Sequence, residues 1–291
     1  MKRLSLAIAA AAALLTPVVA PAQTLRQFSR KDLVIQVDPN LSYIFYRTGV
    51  QAPMTFIREP DAADVAAWQV ARDQAFEKLM KRYRSQMRDW RQQTNSWNRL
   101  SPSRRGGMRA PVKPVMPSQE NFAFTTIEMM TMTEGGISPA FFKEKPIFGF
   151  LIAVKPGTYS FYGSTMLLGT GYAGTCMCMG TVKFDARPGE IVDLGIFGFH
   201  GIAPGARLPR MEPYAHPLPS EFRPFDGPLP TRLQGLPVRP AEFRAAGKFP
   251  NYFGVAIDRL YPMPGVLSYR RDMIIDDRTG QPLARQSGTA Q

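Results

Sequence analysis

Proline and glycine punctuate this chain, 27 and 24 of them in 291 residues, yet none falls between Ala62 and Asn98. Strands are short and end in turns, so a run of that length without a turn former reads as one helix. Pro60-Asp61 supplies the start signal, with Asp61 as the N-cap. Phe76, Leu79, Tyr83, Met87, Trp90, Thr94 and Trp97 recur at spacings of three and four, a single stripe along the helix. Lys78, Lys81, Arg82, Arg84, Arg88 and Arg91 occupy the other faces. Some 35 helical residues measure roughly 50 Å. That exceeds the width of a small domain, so the far end either projects or packs on a partner.

On both sides of this helix the patterns are those of strands. Residues 23–60 predict N-terminal core strands at Leu33-Val34-Ile35, Leu41 to Tyr46 and Met54 to Ile57. Residues 101–120 form a basic Pro/Gly loop without regular structure. Residues 121–200 predict a β-sandwich core with strands at Phe122–Thr133, Ile147–Val154, Thr158–Tyr162, Thr181–Phe184 and Ile191–Phe199. Residues 201–240, rich in proline, predict irregular chain wrapping the surface, because proline cannot donate to a hydrogen-bond ladder. Residues 241–280 predict a short helix at Ala241–Ala246 and closing strands at Tyr252–Tyr261 and Val266–Ile275; residues 281–291 are a fraying tail. The fold class is therefore α+β and mainly β: a β-sandwich-like core with one long basic helical insertion and a proline-rich irregular segment.

Lys2 and Arg3, the run Leu4 to Leu15 and Ala20-Pro21-Ala22 match a secretory signal peptide cleaved near Ala22. The run is too short to span a bilayer, and no later apolar stretch approaches that length. The expectation is a periplasmic or secreted protein that is no lipoprotein and has no membrane helix after cleavage. Net charge is +13. The excess is local: residues 64–113 carry twelve Lys/Arg against four Asp/Glu. Such a field attracts anionic lipid, polyanionic polysaccharide or nucleic acid, and export argues against the last.

Pro156-Gly157-Thr158-Tyr159, followed by Thr181 to Phe184 and then Asp185-Ala186-Arg187-Pro188-Gly189-Glu190, resembles a pattern of exported bacterial β-sandwich proteins of unknown function. The resemblance covers about 45 residues of turn and strand chemistry. It implies a fold and no activity.

Several motifs resolve on physical grounds. Gly169 to Gly174 matches G-x-G-x-x-G but is followed by a strand pattern, whereas a dinucleotide site needs a helix there; a glycine-rich loop between strands is the reading. Cys176-Met177-Cys178-Met179 offers soft sulfur ligands suited to Cu(I), with Met129, Met130 and Met132 as further donors, provided the chain loops so that the sulfurs converge. The same two cysteines either form a local disulfide in an oxidising compartment or pack as unpaired thiols. On an extended strand their Cα atoms lie about 6.5–7 Å apart, at the limit for a bridge, so a disulfide requires a bend. His200 and His216 belong to no recognised metal spacing, and no G-x-S-x-G elbow exists. Asp276-Asp277 reads as a solvated turn.

Three functional readings follow. The first is a non-enzymatic envelope protein that binds an anionic membrane or cell-wall polymer through Arg82, Arg84, Arg88, Arg91, Trp90, Trp97, Arg104 and Arg105, with a protein partner or self-association along the helix as further options; no catalytic residue and no cofactor are assigned. The second is a periplasmic Cu(I)-binding or redox protein using Cys176 and Cys178 with Met177 and Met179. The third is a hydrolase whose residues the sequence does not nominate.

Overall fold

The computed structural model describes residues 24–49, 52–136, 139–169, 171–204, 206 and 219–283. The segment expected as a signal peptide, His216 and most of the tail lie outside the described residues. In chain order the elements are β1 (Arg26–Phe28), β2 (Ser42–Thr48), β3 (Met54–Arg58), α1 (Ala62–Arg99), α2 (Pro102–Arg105), α3 (Ile127–Met130), β4 (Met132–Gly135), β5 (Phe142–Glu144), β6 (Ile147–Val154), β7 (Gly157–Leu168), β8 (Gly171–Cys176), β9 (Thr181–Ala186), β10 (Ile191–Phe199), β11 (Ser220–Arg223), a 3-10 turn (Thr231–Leu233), β12 (Val238–Pro240), β13 (Arg244–Ala246), β14 (Ala256–Ile257), β15 (Leu267–Arg270), β16 (Met273–Asp276) and β17 (Gln281–Pro282).

Two mixed sheets face each other. The first runs β1-β6-β2-β10-β11, with β5 on β6 and β12 on β10; the second runs β13-β9-β7-β3-β4, with β8 on β7 and β14 on β8. Alternation places Ile44, Tyr46, Phe150 and Ile152 of the first sheet against Phe56, Phe161 and Phe184 of the second. Phe56 lies at the centre, its ring 5.8 Å from Phe161, 5.9 Å from Phe184 and 5.9 Å from Tyr46. All seven residues of β2 are buried because its outer face is covered too: Tyr43 and Phe45 pack with Phe141 and Leu233. The outer face of the second sheet is covered at Ile57 and Tyr162 by Met129 of α3, Phe249 and Val255. The class is α+β and mainly β, with sheets stacked as a sandwich.

Each Pro-Gly turn carries the chain from one sheet to the other. Pro156-Gly157 follows β6 of the first sheet and opens β7 of the second, and Pro188-Gly189 follows β9 of the second and opens β10 of the first. These turns are arches across the sandwich, not hairpins within one sheet. Gly189 has φ +71, a conformation that glycine adopts without strain.

Several expected elements differ. Leu33 and Val34 are exposed and form no strand; β1 takes the edge position beside β6 instead. Phe122–Thr133 is extended chain followed by α3 and the start of β4. Ala241–Ala246 contains β13 rather than a helix, since Ala245 and Ala246 are both buried where β13 pairs with β9: tertiary pairing overrides alanine's helix preference. Of Tyr252–Tyr261 only β14 is strand, and Val266–Ile275 is a hairpin, β15 and β16, turning at Arg271 with φ 56. The proline-rich segment contributes β11 and β12 to the first sheet, β12 pairing parallel at its border. Asp276-Asp277 begins a turn, with Asp276 Oδ1 accepting the Arg278 N–H.

The helix is the element that leaves the sandwich. The first-turn capping box is reciprocal: Asp61 accepts from the Asp64 N–H at 2.8 Å and Asp64 from the Asp61 N–H at 2.9 Å. After Asp64 no residue of α1 is buried, and its 38 residues extend about 57 Å. The chain then doubles back as an extended strap. Trp90 Nε1 donates to Pro111 O at 3.3 Å, the Phe76 and Phe122 rings lie 5.5 Å apart, and Trp68 Nε1 donates to Thr125 O at 2.7 Å. Extended chain advances at about 3.1 Å per residue against about 1.5 Å in a helix, so a strap of roughly half the residues suffices to return along α1. Residues 101–120 thus contain the short α2 and an ordered return path, not a free loop.

Candidate functional site

Two features stand at opposite ends of the sandwich. Strand β3 leads from the neighbourhood of Ala52 to Arg58, where the arm begins. The partner strands agree: Val154 of β6, next to Lys155, pairs with Ser42 of β2, while Thr48 pairs with Phe148. Lys155 Nζ lies 3.9 Å from Asp64 Oδ1 at the arm's root, and Thr48 lines a cavity at the far end.

The arm orders the predicted residues into two faces. Phe76, Leu79, Tyr83, Met87, Trp90, Thr94 and Trp97 are all half-buried, whereas Arg82, Arg84, Arg88, Arg91 and Arg104 are exposed. The stripe packs on the strap. Arg105 is half-buried, donating through Nε to Trp97 O at 3.1 Å and through Nη2 to Asn98 O at 2.8 Å, which closes the tip on the helix's last carbonyls. Trp90 and Trp97 are therefore held by the strap, with Lys113 Nζ 5.9 Å from the Trp90 ring and Arg105 Cζ 5.8 Å from that of Trp97. The most exposed apolar side chains of the arm are in the strap: Val112 is 88%, Val115 85% and Met116 62% exposed, against 56% for Val70 of the helix. Sequence reasoning missed these because the loop was read without a partner.

Charge is graded along the arm. The acids Asp61, Asp64, Asp73 and Glu77 lie toward the root, and residues 78–113 contain eleven Lys/Arg and one acid, Asp89. At the root, the Arg58 guanidinium is buried and meets Asp64 Oδ2 at 2.7 Å and Asp61 Oδ2 at 3.3 Å. The Asp64 N–H bond and Arg58 hold the Asp61 carboxyl below the usual carboxylate range.

Cys176 and Cys178 form a disulfide with Cα atoms 5.1 Å apart. The chain bends after β8: Gly180 N–H donates to Met177 O at 3.2 Å, which shortens the separation expected of a straight strand. The unpaired-thiol alternative does not hold here. The four sulfurs also do not converge. Both cysteines lie in the outer cluster with Met129 and Met132, Met177 faces the core between the sheets, and Met179 is partly exposed. Disulfide sulfurs are not thiolate ligands, so Cu(I) binding by this pair would begin with reduction of the bridge.

The end cavity measures about 270 Å³. Its walls are largely apolar, including Ala52, Met177, Phe197 and Ile202, with Arg223 and Asp258 as the charged members. Arg223 Nη2 donates to Ile202 O at 3.2 Å, and its Nε approaches Glu221 Oε1 at 3.3 Å without hydrogen-bond alignment. Glu221 also takes the Nδ1 side of His200 at 2.9 Å, and that imidazole stacks on Tyr261 at 3.6 Å. One carboxylate thus faces both an imidazole and a guanidinium. Burial raises the Asp258 carboxyl above its ordinary value. The glycine run Gly169–Gly174 forms the β7–β8 connection and the start of β8, with strand on either side; Thr170 lies outside the described residues.

Among the described residues no helix is long and apolar enough to cross a membrane. No protein-family model, curated protein or solved structure matches the chain.

Proposed function

We propose that this is an exported, non-enzymatic surface-binding protein whose projecting arm lays its strap and basic residues on an anionic lipid surface. The observation that carries the reading is the composition of the arm's distal part: eleven cations and one acid over residues 78–113, interleaved with exposed Val112, Val115 and Met116. Basic residues near an anionic bilayer contribute about 1 kcal/mol each, and small apolar side chains add by entering the interface. A polymer of the envelope would use the charges and leave the valines without a role. The leader residues, read as a signal peptide, support the compartment; the resemblance to exported sandwich proteins supports the same placement.

Sedimentation with vesicles of phosphatidylglycerol, compared with phosphatidylcholine, tests this. Binding is expected to the anionic vesicles at low salt and to weaken as salt screens the arm. Replacing Arg82, Arg84, Arg88 and Arg91 by Gln removes about 4 kcal/mol, roughly a thousandfold, and the Val112→Ser/Val115→Ser pair weakens binding further. Equal binding to both vesicle types would overturn the reading. Binding to soluble polyphosphate that is unaffected by the valine changes, with no vesicle binding, would move the assignment to a polymer.

A further inference from the structure

The cavity at the end of the sandwich away from the arm has a composition that specifies a ligand class. Its wall is apolar at Ala52, Met177, Phe197 and Ile202. Arg223, its cationic side chain, is already committed: Glu221 lies beside it on one side and the Ile202 carbonyl accepts from it on the other. Asp258 is placed differently. Its Oδ1 accepts the Arg259 backbone N–H at 2.8 Å, while the Arg259 guanidinium lies over the Tyr269 ring, 4.4 Å from its centroid. The Arg259 charge acts on Asp258 without a direct ion pair being formed, so among the described residues the cavity holds a carboxylate with acceptor capacity left in a largely apolar surround. Partial desolvation raises the energy of that carboxylate, and a cation brought beside it would offset the loss of water.

We infer that this cavity binds a small amphiphile with an apolar body and a primary ammonium head, the body against Phe197 and Met177 and the ammonium on Asp258. A volume of about 270 Å³ admits a chain of the size of octylamine and excludes a full lipid. The site is at the opposite end of the sandwich from the arm and does not depend on the membrane reading.

Calorimetric titration of the full chain with n-octylammonium, 1-octanol and octanoate tests the inference. Octylammonium should bind most tightly and octanoate least. Asp258→Asn should weaken octylammonium about tenfold, the ordinary value of a charge-assisted contact, and leave octanol unchanged. Gly198→Leu, where a Cβ meets Arg223 Nη2 at an ordinary 3.6 Å, should fill the cavity and abolish binding of all three probes. Ala203→Trp, at an exposed position on the cavity's edge, is the second blocking variant should the first fail to fold. Octanoate binding as tightly as octylammonium, an unchanged ammonium affinity in Asp258→Asn, or full binding by both blocked variants would overturn the assignment.

Discussion

The Arg58 guanidinium, buried at the end of β3, meets the Asp64 carboxylate 2.7 Å away in the first turn of α1, and this pair fastens the arm to the sandwich. Both side chains are buried, Arg58 with 2% and Asp64 with 8% of its surface exposed. Among the described residues, removing Asp64 leaves the buried Arg58 with only the exposed Asp61 as an acidic partner, and removing Arg58 leaves Asp64 with only Lys155, at 3.9 Å, as a cationic one. Asp64→Ala or Arg58→Met should each destabilise the protein by about 3–5 kcal/mol in urea unfolding. The double variant Arg58→Met/Asp64→Leu should recover most of that loss. Two single losses that simply add would show that the pair is not coupled.

Acid should loosen the arm before the sandwich. The Asp61 carboxyl titrates below its ordinary 3.8 because it accepts the Asp64 N–H and faces Arg58. A folded value below the unfolded one means that its contribution is complete above the unfolded value and is lost as pH falls through the folded value. The far-ultraviolet helical signal should hold to about pH 4 and then decline. Asp61→Asn, which caps without titrating, should remove that part of the pH dependence; an identical acid profile would contradict it.

How much of this was legible beforehand depends on which forces are local. The stripe from Phe76 to Trp97 could be read from spacing, because helical period is a property of neighbours in the chain; all seven of its members are half-buried. What covers the stripe could not, since Phe122 and Pro111 are distant in sequence and carry no periodicity. The two Pro-Gly turns were visible as turns, but turn chemistry does not say whether the strands it joins pair with each other or with a facing sheet. Ala241–Ala246 misled because alanine's local preference yields to burial against β9. The C-x-C bridge rested on one bend, at Met177 to Gly180, that no residue pattern announces. The cavity drew Phe197, Arg223 and Asp258 from three separate segments, and nothing in any one segment marks it.

The disulfide predicts a thiol count. Alkylation in denaturant without reductant should label neither cysteine, and after reduction both, with no dimer formed. Because the sulfurs are shielded, with Cys176 0% and Cys178 2% exposed, mild reductant on the folded protein should leave them mostly unlabelled. A bridge across so few residues removes little chain entropy, so Cys176→Ser/Cys178→Ser should cost about 1–2 kcal/mol from that source, read as a shift in the denaturant midpoint. Labelling of both thiols before reduction would mean that the bridge is absent.

Strap and helix should separate under a single change. Phe122 stacks on Phe124 at 5.9 Å and meets Phe76 edge-on at 5.5 Å. Phe122→Ala should cost about 1–2 kcal/mol of strap stability and leave the sandwich intact. Limited trypsin digestion should then cut several-fold faster after Arg109, while the unfolding midpoint of the body barely moves. Unchanged digestion would show that the strap is held elsewhere.

Because β3 and β4 are antiparallel neighbours, with Ile57 opposite Met132, everything between Arg58 and α3 stands where another protein would have an ordinary reverse turn. Outgoing helix and returning strap bring the two chain ends back to adjacent strands, so the detour is topologically neutral to the sheet. Evolution could therefore have lengthened, recharged or deleted this protrusion without renegotiating a single strand pairing, and the body and its appendage are free to diverge at different rates.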